Sequence, residues 1–137
     1  ETGVAVQISH IKLALQRLLG KTDQLKAKLD KARSKGIEIS ADIYPYTYWQ
    51  STMQVLFPER NFNDRSEAEF VLSQITTPSG ITLTQFDPNP DYVGKTLQQI
   101  SEIRNEDAPT TLLALIAETL DENISESIGD PHNLQLS

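Results

Sequence analysis

The first 46 residues switch hydrophobic period twice, and that switch limits the folds open to the chain. "VAVQIS" (Val4 to Ser9) is apolar and β-branched over most of its length, as a strand covered on both faces would be. "KTDQLKAKLDKARSKG" then puts Leu25, Leu29 and Ala32 at helical spacing. Thr22 or Asp23 is the candidate N-cap, basic residues gather toward the C-terminal end, and Gly36 stands where a left-handed cap belongs. "IEISADIYPY" (Ile37 to Tyr46) is strand-like again and is stopped by Pro45. Strand, helix and strand with short joints make a right-handed βαβ unit, and hence a parallel sheet. The expectation is that Val4–Ser9 pairs with Ile37–Tyr44 through a helix over Asp23 to Lys35.

Beyond that unit the pattern loosens. "TYWQSTMQVLFPERNF" has no clean period and is expected to be a long loop. "NDRSEAEFVLSQI" resumes helical spacing through Ala68, Val71, Leu72 and Ile75, and "ITLTQF" (Ile81 to Phe86) alternates like a strand. Thr96 and Gln99 have the capping-box spacing, with Leu97, Ile100 and Ile103 on one side of the helix they open. A last helix follows Asp107 as N-cap, with Pro109 in its first turn and Leu112, Leu113, Ile116 and Leu120 facing a core. From Ile124 onward there is no pattern. The whole of 1–137 is expected to be one partial domain, with a βαβ unit over 1–50 and a loop, helices and a short strand over 51–137.

Composition narrows the partners. Nineteen acidic residues against twelve basic give a formal charge of −7, and no basic cluster rises above that background. Nucleic acid and anionic membrane are therefore not expected partners. The chain has no cysteine, so disulfides and thiol nucleophiles are excluded within it. No apolar run reaches the roughly 18 residues of a membrane span, and no signal-like start is present, which makes the cytoplasm the expected location. The chain opens "ETGV" without a methionine, and an internal excerpt or a processed product is expected.

In a parallel α/β sheet, ligands bind beyond the C-terminal ends of the strands. His10 and Lys12 follow the first strand, and Asp42, Tyr44 and Tyr46 end the second. Neighbouring strands lie about 4.8 Å apart, so these side chains can share one mouth. A neutral imidazole can ligate a metal, an ammonium can hold a carboxylate, and a phenol can donate to one. Taken singly, each is more often an ordinary surface or packing residue. Tyr48 and Trp49 are expected to pack, and His132, near Asp130, lies in the unpatterned tail. No nucleophile and base pair, phosphate-binding glycine loop or paired carboxylate signature is visible. The residues alone lead to an α/β domain with a candidate site.

"ISHIK", followed about thirty residues later by "ADIYPYTYWQST", resembles the N-acyl-D-amino-acid deacylases, the D-aminoacylase group of the amidohydrolase superfamily. "FPERNF", "YVGKTLQQISEIRNED" and "TLLALIAE" are similar to that family in the same order, so the resemblance runs to about Ile128. It implies a zinc-dependent (β/α)8 TIM-type barrel that hydrolyses the amide of an N-acyl-D-amino acid. This chain would run from the sixth strand to the helices after the seventh. By the same resemblance His10 is a metal ligand, Lys12 holds the substrate carboxylate, and Tyr44 and Ser51 complete its pocket. The family's other metal ligands and its proton-shuttling aspartate have no counterpart here, so no catalytic residue is assigned and the chain alone is expected to bind zinc weakly and to be inactive. The other class kept open is a non-catalytic remnant or interaction module. Self-association is also expected, because open strand edges and stripes such as Leu25 with Leu29 and Leu112 with Ile116 would face water.

Overall fold

A computed structural model describes residues 3–121 and the backbone of 133–136. His132 and Asp130 lie outside the described residues. The chain divides into two compact units, Glu1–Tyr46 and Thr47–Ser137.

In the first unit, β1 (Val6–Ile8), α1 (Thr22–Ser34) and β2 (Ile39–Ala41) follow the expected order. The strands are parallel, with Val6 opposite Ile39, Gln7 opposite Ser40 and Ile8 opposite Ala41. Both are shorter than their apolar runs, because β1 gives way to a left-handed turn at His10 (φ 55°). Helix α1 is capped at Lys21 without a side-chain hydrogen bond, so neither Thr22 nor Asp23 is its N-cap. Asp23 instead lies in the first turn, where its charge faces the positive end of the helix. At the other end Gly36 (φ 80°) donates to the Arg33 carbonyl at 2.9 Å, and Ile37 donates to that of Ala32 at 3.3 Å. This is the Schellman arrangement, which requires a residue at ease with positive φ.

A two-stranded sheet under one helix closes no core. None of the described residues of this unit is buried; Ile8, Leu25, Leu29, Ala32 and Ile39 are half-buried. Charge is segregated as well. Residues 1–46 carry eight basic and five acidic side chains, against four and fourteen in 47–137. The expectation of no basic cluster is therefore corrected: Lys21, Lys26, Lys28, Lys31, Arg33 and Lys35 lie on α1 or at its ends, a concentration hidden by the net charge of the whole chain.

The second unit has the core. The expected loop after Tyr46 instead forms β3 (Trp49–Thr52) and a 3-10 turn over Met53–Leu56, with Met53, Leu56 and Phe57 buried. A four-residue strand running straight into such a turn sustains neither the strand nor the helix period, so the apolar spacing looks irregular. Helix α2 (Arg65–Phe70) is capped by the Asp64 carboxylate and passes into a π turn over Val71–Ile75. Strand β4 (Ile81–Leu83), helix α3 (Leu97–Arg104) and helix α4 (Ala108–Asp121) follow. The tail supplies β5 (Asn133–Leu136), antiparallel between β3 and β4, where the sequence showed no pattern. Four residues are too few to display alternation.

Met53, Leu56, Val71, Ile81, Leu83 and Phe86 pack with Leu97, Ile100, Leu112, Leu115 and Ile116. Leu112 and Ile116 are fully buried, so that stripe does not face water as expected. Conversely Ile103 and Leu120, assigned to the core faces, are 57% and 55% exposed. The buried arc of α4 is shifted toward Thr111 and Thr119, whose hydroxyls donate to the Asp107 and Ile116 carbonyls at 3.0 and 2.6 Å. A threonine so bonded presents its methyl group and packs as an apolar residue.

Polar contacts fasten the helices. The expected capping box forms: Thr96 accepts from the Gln99 amide at 3.2 Å, and the Gln99 side chain accepts from the Thr96 amide at 2.9 Å. Thr96→Ala is expected to lower the stability of this unit by about 1 kcal/mol in a denaturant titration. Asp107 caps α4 by accepting from the Thr110 amide and takes Arg65 of α2 at 2.7 Å. Arg65 and Thr110 hold its carboxyl well below the usual range. Arg104 is half-buried; burial opposes its charge, but Glu118 at 2.6 Å and Glu106 at 3.0 Å outweigh that and raise its pKa. Among the described residues no helix is long and apolar enough to cross a membrane.

Candidate active site

The parallel pairing of β1 and β2 puts the two strand ends side by side. The His10 and Tyr44 rings meet edge to face, with centroids 5.4 Å apart at 66°. Lys12 Nζ stands 4.7 Å from the centre of the same Tyr44 ring and 3.5 Å from the His10 carbonyl. The first is a cation over an aromatic face; the second is at the limit of a hydrogen bond. Tyr46 continues the row, its ring 6.1 Å from that of Tyr44. His10 and Lys12 are exposed and Tyr44 is half-buried, so the group is accessible from solvent.

An ammonium and a phenol beside an imidazole form a cationic, donor-rich patch suited to a carboxylate. Asp42, the acidic member of the strand end, has its own partners. It accepts the His10 amide at 2.6 Å and Gln7 Nε2 at 3.3 Å. The sequence marked Asp42 by position but gave it no role. Its signal is the turn it stabilises, and the positive φ of His10 is visible only in the fold.

Ser51 lies on β3 of the second unit, half-buried, with its backbone opposite Leu134. Trp49 packs against the core there, as expected of a packing aromatic. That unit has two clefts, of 480 and 690 Å³; the first is lined by Ser66, whose hydroxyl donates at 2.7 Å to the Asp64 carboxylate that caps α2. In the smaller, Glu67 is used to hold its own loop, accepting the Glu59 and Asn61 amides at 2.7 and 3.1 Å.

Metal ligands are the missing element. Among the described residues no three histidine, cysteine, aspartate or glutamate side chains gather closely enough to hold an ion. Zinc in a catalytic site takes three protein ligands, and this strand end offers one free-standing imidazole plus a carboxylate already engaged by an amide. These residues do not by themselves fit a catalytic zinc.

No protein-family model matches the chain. An N-acyl-D-glutamate deacylase from Alcaligenes xylosoxydans xylosoxydans is 31% identical over 100 residues, 73% of this chain and 17% of that protein. Among solved structures, the N-acyl-D-glutamate deacylase from Bordetella bronchiseptica, complexed with zinc and a phosphonate mimic of the tetrahedral intermediate, matches with a TM-score of 0.63 and 24% identity. That match covers 98% of this chain and 22% of the enzyme. A D-aminoacylase described as defining a novel subset of amidohydrolases matches with a TM-score of 0.63 and 19% identity, over 97% of this chain and 21% of its own. The mixed helix and strand fold is thus that of part of an amidohydrolase. The sequence match points to the same group: over 73% of its length the chain is similar to part of an N-acyl-D-amino-acid deacylase, and it spans about a fifth of the relatives it matches.

Proposed function

We propose that this chain supplies the carboxylate-binding strand ends of an enzyme that hydrolyses the amide bond of N-acyl-D-amino acids. The observation that carries the reading is the convergence of Lys12 and His10 on the Tyr44 ring at the ends of two parallel strands. In this reading β1 and β2 are the sixth and seventh strands of a (β/α)8 barrel. Lys12 pairs with the substrate carboxylate and Tyr44 donates to it. His10 is one metal ligand among several, the rest coming from sequence beyond the 17 to 22% of the relatives that this chain spans. The names of those relatives point to an N-acyl-D-glutamate as the first substrate to try.

The single imidazole favours a second reading, a non-catalytic module that retains the family fold. The two are separated by the length of protein assayed. The purified 137-residue chain is expected to bind zinc weakly in a calorimetric titration and to leave N-acetyl-D-glutamate and N-acetyl-D-methionine intact. A complete deacylase containing this sequence should cleave at least one of them. Absence of turnover and of tight zinc binding in that complete protein would leave the module reading standing.

A further inference from the structure

His10 is one of three non-glycine residues with positive φ among those described, and it is the one at the candidate site. A left-handed backbone persists at a non-glycine residue only where the surroundings hold it. At His10 the hold is Asp42, whose Oδ1 accepts the His10 amide at 2.6 Å, a short charge-assisted bond. Asp42 also gives its backbone to the same turn: its amide donates to the Ile8 carbonyl at 3.2 Å, and its carbonyl accepts the Ile11 amide at 2.9 Å. Its second oxygen accepts Gln7 Nε2 at 3.3 Å, and the Gln7 side chain in turn accepts from the Ser40 hydroxyl. Gln7 and Ser40 are partners in register. The carboxylate therefore ties the turn to both strands, one residue past the end of β2 and two past the end of β1.

We propose that Asp42 is a positioning residue, which by holding the left-handed turn at His10 sets the imidazole edge-on to Tyr44 and delivers Lys12 over the same ring. Without the carboxylate, residue 10 relaxes toward ordinary extended backbone, and its side chain leaves Tyr44. The importance of this for turnover rests on the deacylase reading above; the geometric effect does not.

The test uses the carbon-bound imidazole proton resonances of the 137-residue chain, recorded without metal or substrate and assigned to His10 by their loss in His10→Gln. Tyr44→Leu supplies the positions for an imidazole with no ring beside it. Asp42→Ala is expected to move the His10 resonances most of the way to those positions, while Asp42→Asn, which keeps an oxygen to accept the amide, stays near the wild type. Wild-type His10 resonances in a folded Asp42→Ala chain overturn the proposal, as does an Asp42→Asn chain displaced as far as Asp42→Ala. Should Asp42→Ala disrupt the strand pair itself, Gln7→Leu removes the contact to the second oxygen, together with the Ser40 hydroxyl bond, and leaves Oδ1 on the His10 amide; a partial displacement in the same direction is expected, and none at all overturns the proposal. Because neither zinc nor substrate enters the measurement, failure of the deacylase reading would leave its result unaffected.

Discussion

Lys12→Ala, placed in a complete deacylase containing this sequence, is expected to lower kcat/KM by about 10²-fold or more and to raise KM. The loss of a charge-assisted contact to a carboxylate is on the order of 2 to 4 kcal/mol, which converts to that range of rate. The contact exists with substrate bound, and its loss appears first in binding. His10→Ala should behave differently, removing bound metal and activity together. Metal analysis and steady-state kinetics on the two variants check both expectations. Equal metal content with near-normal kinetics in both would remove this strand end from the site.

Leu112→Ala is expected to destabilise the second unit by about 3 kcal/mol, within the range for removing a fully buried leucine from a close-packed core. Domains of this size are stable by only about 5 to 15 kcal/mol, so the change is a large share of the total. Leu120→Ala, two turns further along α4 but 55% exposed, should cost under about 0.5 kcal/mol. Urea titrations compared at equal slope measure the pair. Equal losses would mean that the buried arc of α4 is centred where its leucine spacing suggested.

That contrast shows where the sequence was legible. Spacing alone identified α4, its Asp107 cap and the Thr96 box, because each depends on local chemistry within a few residues. On α4 it placed Leu112, Leu113 and Ile116 against the core and misjudged Leu120, because Thr111 and Thr119 count as polar until their hydroxyls are seen to bond back to the helix. The strand pair was readable from the change of period. Strand β5 was not, since its partners are Trp49–Thr52 and Ile81–Leu83, more than fifty residues earlier in the chain. At the candidate site, the meeting of His10 with Tyr44 followed from parallel pairing. The left-handed turn and its Asp42 clamp did not, because histidine carries no marker of positive φ as glycine does.

The first unit, with none of its described residues buried, holds the candidate site on a scaffold that has little free energy of its own. Thermodynamic linkage then gives unusual weight to occupancy. A ligand present at a hundred times its dissociation constant, and bound only to the ordered form, adds about 2.7 kcal/mol. That is comparable to the contribution of Leu112 in the other unit. Order at β1 and β2 is therefore a property shared with whatever sits across His10, Lys12 and Tyr44, and filling the site and folding its support become two descriptions of one equilibrium.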